Sequence, residues 1–327
     1  MKIIRFILGR IILFLDWITS PRPNQISEEK RNEINSFTSN MVMYEFKACP
    51  FCVRVRRFMK KNNINLMKNP SSEQTNPIHF SAQGIVKKFG GIDALNDVSF
   101  ELRRGEVMGL VGDNGAGKST LMKAISGAQL CDSGAFFIDG KEVKIDSPHD
   151  ASSKGIQIVY QDLALCENLD VTANLFLGNE IRYLDNLKII PRALRPLNHL
   201  SMEEQTKEAL RKLKVKTITS MRTKIGFLSG GQRQSIAIAR AIKSDSTIVL
   251  LDEPTAALGV SQTKEVLELV KSLRETNHAV VLISHNLNNI FEVCDRITIM
   301  RQGENIGVFD TINTAPDQIV SYITRGK

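Results

Sequence analysis

Residues 112–120 read Gly-Asp-Asn-Gly-Ala-Gly-Lys-Ser-Thr, directly after the apolar run Glu-Val-Met-Gly-Leu-Val at 106–111. Three glycines, a lysine and two hydroxyls within nine residues describe a loop built to hold a polyanion. Residues without a Cβ let successive backbone N–H groups converge on anionic oxygens, and a helix starting at Lys118 turns its positive end towards them. The order Gly112-x-x-x-x-Gly117-Lys118-Ser119 is the Walker A spacing. Gly112, Asp113, Asn114, Gly115, Ala116, Gly117, Lys118, Ser119 and Thr120 are therefore expected to wrap the phosphates of a nucleotide. Lys118 would reach the β- and γ-phosphates, and the Ser119 hydroxyl would face Mg²⁺.

Working outward, Ile248–Pro254 reads IVLLDEP and 278–285 reads HAVVLISH. Both are apolar runs without alternation, as expected of strands buried on both faces of a parallel sheet. RQSIAIARAIKS and SQTKEVLELVKSLRETN carry helical periodicity. IHFSAQGIVKKF, DVSFELRRGEVMGLV and AFFIDGKEVKI, separated by turn signals such as Asp139-Gly140, read as an antiparallel β layer leading to a strand that ends at the glycine loop. The predicted class is α/β, a parallel-sheet core with an antiparallel β subdomain. At the tip of the IVLLDEP strand, Asp252 is placed to coordinate Mg²⁺ and Glu253 to polarise an attacking water. Hydrolysis of ATP, rather than binding alone, is the expectation.

The stretch Leu228–Gln234, LSGGQRQ, opens another helix with free N–H groups and a hydroxyl at Ser229, Gly230, Gly231 and Gln232. It forms a second phosphate-binding surface on a separate loop. With the two Walker motifs, this run resembles the nucleotide-binding subunit of ABC transporters, P-loop NTPases in which two cassettes pack head to tail. The resemblance covers about residues 78–326. It implies that the signature loop of one copy closes over the ATP and Mg²⁺ held by another. It further implies that Gln161 in IVYQDLAL is a sensor of Mg²⁺ and of the membrane subunit. His285 in LISHN would be the switch histidine holding the attacking water, and Phe89 in VKKFGG the aromatic that stacks on adenine. A helical subdomain is expected at about 162–228, docking on transmembrane permease subunits. One position departs from the pattern, since Gly259 in TAALGV stands where many cassettes carry aspartate.

The wording of GDNGAGKS, VYQDLAL, NLFLG and TAALGV is similar to the carbohydrate importers of the ribose, xylose and fructose group, in a single-cassette branch. That resemblance implies a homodimer on the cytoplasmic face of the inner membrane as a peripheral subunit. A sugar-binding protein outside the membrane would be an indirect partner.

The first quarter of the chain is different text. Of the formal charge of +8 on 327 residues, 13 Lys and Arg against 6 Asp and Glu place +7 in residues 1–75, leaving +1 for the rest. A cassette near neutrality lacks the basic field of a nucleic-acid binder, so no nucleic-acid partner is expected. Residues 1–40 combine an apolar run, Ile3–Ile18 with Arg5, Arg10 and Asp16, and a polar linker. The run is short and charged for a bilayer crossing. A helix in a membrane interface and one packed on protein both fit it. Residues 41–70 hold a strand at Val42–Phe46, then Cys49-Pro50-Phe51-Cys52 and a basic helix. This segment resembles the opening of a glutaredoxin, a partial thioredoxin-like fold, and implies possible redox chemistry with Cys49 attacking and Cys52 resolving. Five scattered cysteines do not make a disulfide framework and suit a reducing compartment. The alternatives to a transporter subunit are a soluble, non-transport ABC ATPase and a thiol-disulfide oxidoreductase.

Overall fold

The structure is a computed structural model that describes residues 42–45, 67–70, 77–183, 195–215, 217–243 and 246–325. The chain divides into two compact units, Met1–Thr75 and Asn76–Lys327. In the first unit β1 (Val42–Glu45) and β2 (Met67–Pro70) pair in parallel, Val42 opposite Met67. Cys49 and Cys52 lie outside the described residues, as does the apolar run at 3–18. Among the described residues, no helix is long and apolar enough to cross a membrane.

The second unit is built on a six-stranded sheet in the order β12-β11-β5-β10-β9-β8. Its strands are β5 (Val107–Val111), β8 (Ile156–Val159), β9 (Ile248–Asp252), β10 (Ala279–Ile283), β11 (Arg296–Arg301) and β12 (Glu304–Asp310). All pairings are parallel except β11 with β12, an antiparallel edge strand that the apolar-run argument did not anticipate. Because side chains alternate across a strand, two cores form. Val107, Val111, Val249, Leu251, Val280 and Leu282 face one of them, while Met108, Leu110, Ile248, Leu250, Val281 and Ile283 face the other.

The first core is covered by α3 (Val171–Phe176), α4 (His199–Lys212), α5 (Gly230–Lys243), α6 (Val260–Glu275), α7 (Leu287–Val293) and α8 (Pro316–Arg325). The second is covered by α1 (Lys118–Ile125), α2 (Pro148–Ser153) and a four-stranded antiparallel sheet, β4-β3-β6-β7. Those strands are β3 (Ile78–Phe89), β4 (Ile92–Arg103), β6 (Ser133–Ile138) and β7 (Lys141–Val143). The run DVSFELRRGEVMGLV, read above as one β stretch, is divided between the sheets. Val98–Arg103 belong to β4 in the antiparallel layer, and Val107–Val111 to β5 in the core. A turn at Arg104-Gly105-Glu106 separates them, with Gly105 at φ 59°.

Two polar ties hold the layers together. The buried His79 ring meets Asp139 Oδ1 through Nδ1 and Thr247 Oγ1 through Nε2, each at 2.8 Å, joining β3 to the foot of β9. Buried Glu106 pairs with Arg296 and accepts the Arg103 N–H at 2.7 Å, joining the end of β4 to β11.

Candidate functional site

Ligands of open α/β sheets collect outside the carboxyl ends of the parallel strands. Four adjacent strands end level here, since Ile283 faces both Leu110 and Asp252, and Leu251 faces Val159. The candidate residues at those ends, or within two residues of them, follow the sheet order. They are Gly112 after β5, His285 after β10, Asp252 and Glu253 at β9, and Gln161 after β8. Adjacent strands lie about 4.8 Å apart, so one edge of the sheet gathers all four.

The loop after β5 is fixed by close packing. Gly112 has φ 152°, and a Cβ there would stand 2.1 Å from the Met300 carbonyl oxygen. Gly117, at φ 97°, caps α1, and a Cβ there would stand 2.6 Å from the Ala94 carbonyl oxygen. Only glycine meets both demands, left-handed backbone and contact with a neighbouring main chain. Lys118 is 7% exposed, and its Nζ donates to the carbonyls of Gly112 and Asp113, both at 2.8 Å. The lysine thus threads its own loop. Burial lowers its pKa, opposed by the charges of Glu253, Asp113 and Asp252.

Asp252 is half-buried, and burial, then the neighbouring Glu253, hold its carboxyl above the ordinary range, against Lys123, Lys118 and His285. Glu253 has left-handed backbone, φ 50°, a strained conformation for a residue with a long side chain. Its N–H donates to the Ile283 carbonyl at 3.1 Å, tying it to β10. That turn aims the carboxylate at the next strand end, where Oε1 lies 2.8 Å from His285 Nε2. Ser284, beside His285, is buried, and its hydroxyl accepts the Asn286 N–H at 3.1 Å, holding the loop after β10. Gln161 is exposed past β8.

The LSGGQ stretch forms a reciprocal capping box. Ser229 Oγ accepts the Gln232 N–H at 3.3 Å, and Gln232 Oε1 accepts the Ser229 N–H at 3.0 Å. The glycines allow close approach, because a Cβ on Gly230 would lie 2.7 Å from Leu258 Cδ2 and one on Gly231 would lie 3.1 Å from Gln262 Cβ. Loop 112–117 instead packs on Ala94, Met300 and Gly303. The glycine loop and the signature stretch therefore rest on different elements of the fold.

Phe89 ends β3 with its ring 48% exposed, beside the strand whose Ala94 carbonyl touches Gly117. Lys87, unremarked in the sequence, lies with Nζ 5.6 Å from the centre of that ring. The i, i+2 spacing on a strand was the available signal, since it puts Lys87 and Phe89 on one face. Gly259 takes the N-cap position of α6 at φ −67° with no side-chain cap, and a Cβ there would meet nothing within 4 Å.

A doubly covered sheet with a glycine loop, an acidic strand tip and a histidine at the next tip is a P-loop nucleoside-triphosphatase fold. The ABC transporter family model matches residues 95–256. The chain is 42% identical over 247 residues to the fructose import ATP-binding protein FrcA of Rhizobium meliloti, covering 76% of this chain and 94% of that one. It is 44% identical over 238 residues to the xylose/arabinose import ATP-binding protein XylG of Sulfolobus acidocaldarius, covering 73% and 90%. Among solved structures, a dimeric ATP-binding cassette in a post-hydrolysis state with ADP and Pi superposes with TM-score 0.58 at 26% identity. That match covers 71% of this chain and 98% of that one. The chain belongs to the ABC transporter family, and its second unit is an ATP-binding, ATP-hydrolysing cassette.

Proposed function

We propose that two copies of this chain sandwich two ATP molecules and drive import of a sugar through transmembrane permease subunits. The cassette would sit peripherally on the cytoplasmic face of the cell membrane. Each ATP lies between loop 112–120 of one copy and Ser229–Gln232 of the other. The separate footings of the two anion-binding surfaces support this arrangement. So do Phe227, next to the signature in sequence, and Val260, at the start of the helix whose Gln262 packs on Gly231; they are 83% and 92% exposed and present apolar surface that a second copy would cover. Sugar import is supported by the fructose and xylose/arabinose import proteins that this chain resembles over 90% or more of their length.

Mg²⁺ is the ion this family implies, and the residues fit it. The Ser119 hydroxyl and the Asp252 carboxylate are oxygen donors suited to a hard cation. Asp252 is held above the ordinary carboxylate range by burial and by Glu253, which Lys123, Lys118 and His285 offset only in part, and the ion would supply the remaining positive charge. Bound there, Mg²⁺ would neutralise charge on the β- and γ-phosphate oxygens.

The chain's own groups do the rest. Lys118 exchanges its two carbonyl partners for the β- and γ-phosphates. Glu253 orients water in line with the γ-phosphorus and takes its proton as the water oxygen bonds to phosphorus. The bond from phosphorus to the β–γ bridging oxygen breaks, and ADP leaves with that electron pair. His285 holds the Glu253 carboxylate and reaches the γ-phosphate, while Gln161 reports Mg²⁺ occupancy towards the permease. Phe89 stacks on adenine.

The observation that carries hydrolysis is the 2.8 Å contact between His285 and Glu253 at neighbouring strand tips. Glu253→Gln keeps the shape of the side chain and removes the base. ATP binding should persist and phosphate release should fall by about 10²-fold or more. Wild-type turnover in that variant would remove Glu253 from this role.

A further inference from the structure

We propose that Lys87 is a positioning residue for the nucleotide base: held by Asp132, it covers one face of the Phe89 ring and sets the other towards adenine. This rests on the assignment of Phe89 as the base-stacking residue.

Lys87 and Phe89 lie two residues apart at the end of β3 and therefore project from one face of the strand. Lys87 Nζ lies 5.6 Å from the ring centre, within the range at which an ammonium is attracted to an aromatic face. The lysine does not hang free. Its Nζ bonds Asp132 Oδ1 at 2.7 Å, and its side chain is 12% exposed while Phe89 is 48% exposed.

Asp132 is itself anchored twice to the same strand. Its Oδ2 accepts the Lys88 N–H at 2.7 Å, and its own N–H donates to the Val86 carbonyl at 2.9 Å. The bonds from Lys87 and then Lys88 hold the Asp132 carboxyl below its ordinary range, so Asp132 is a carboxylate at neutral pH. A short brace thus runs from the loop before β6, through Asp132 and Lys87, to the underside of the ring.

The consequence is preorganisation. An exposed phenylalanine at a strand end samples several ring orientations, and ordering it on binding costs affinity. A cation fixed against one face removes much of that freedom before the base arrives. Lys87 would then act on binding of the base and leave the phosphates and the chemical step alone.

The test measures binding of ATP and of inorganic tripolyphosphate, which has no base, to the full chain by calorimetry, with ATPase kinetics alongside. Phe89→Ala should weaken ATP and leave tripolyphosphate unchanged. Lys87→Met should do the same, by about three- to tenfold, raising KM without lowering kcat. Lys87→Arg, which keeps the cation, should restore most of the loss. Asp132→Asn, which loosens the lysine without removing it, should give a smaller shift in the same direction. If Phe89→Ala binds ATP less well and Lys87→Met binds it like the wild type, the role of Lys87 is overturned and that of Phe89 stands. Equal losses of ATP and tripolyphosphate in Lys87→Met would also overturn it, as a change in field or fold. ATP binding unchanged in Phe89→Ala would overturn the stacking assignment, and this inference with it.

Discussion

Asp252 and Glu253 are neighbours in sequence but stand in different settings. Asp252 ends β9 half-buried, whereas Glu253 has already turned through φ 50° to meet His285. Because burial raises the folded-state pKa of Asp252, the native protein keeps that proton to higher pH than the unfolded chain does. Between the ordinary carboxylate value and the raised one, stability therefore falls as pH rises, and the cost is fully present above the raised value. Asp252→Asn should raise the thermal midpoint of the nucleotide-free protein at pH 7. The gain should shrink as the pH approaches the ordinary carboxylate value of about 4. The same variant should gain less than the wild type from added Mg²⁺ and ATP. Differential scanning fluorimetry across pH reads both effects, and a variant no more stable than the wild type at pH 7 would contradict the assignment.

The elements were legible in the sequence where a single physical demand dominated. The glycine loop was legible because Gly112 and Gly117 touch backbone on the far side, leaving no room for another residue. The strands IVLLD and AVVLI were legible because both of their faces are buried. The turn Arg104-Gly105-Glu106 in DVSFELRRGEVMGLV marked a break but did not show that the alternating β4 before it and the fully buried β5 after it belong to different sheets, because sheet membership is set by distant partners. The brace on Phe89 was half legible, since strand spacing joins Lys87 to it but nothing local points to Asp132. Gly259 was legible as a departure, and the structure gives it a local meaning. The 16-residue helix α6 starts there with no side-chain cap and no acidic residue in its first turn. Its φ of −67° suits any residue, and a Cβ meets open space. Gly259→Asp should therefore cap α6 and stabilise the protein by a few tenths of a kcal/mol up to about 1 kcal/mol. That corresponds to a rise of up to roughly 2–4 °C in the melting midpoint. A lower midpoint would mean that Gly259 is held by something other than its own helix.

At the scale of the whole molecule, one sheet edge collects the loop, the acidic tip, the histidine and Gln161. The signature helix meanwhile rests on Leu258 and Gln262, among other elements. A phosphate loop at a strand end can hold a nucleotide by itself. Under the proposed function, a capped, glycine-led helix start standing elsewhere is used against a second copy. That head-to-tail relation makes a prediction that no single-chain site can imitate. Lys118→Ala disables the loop and spares the signature, while Ser229→Arg does the reverse. A mixed dimer of the two keeps one complete composite site, formed by the intact loop of one chain and the intact signature of its partner. Phosphate release should be near background for either variant alone and should reappear when the two are mixed and allowed to exchange subunits. Mixtures no more active than the separate variants, or a Ser229→Arg protein that hydrolyses ATP at the wild-type rate, would contradict the shared site.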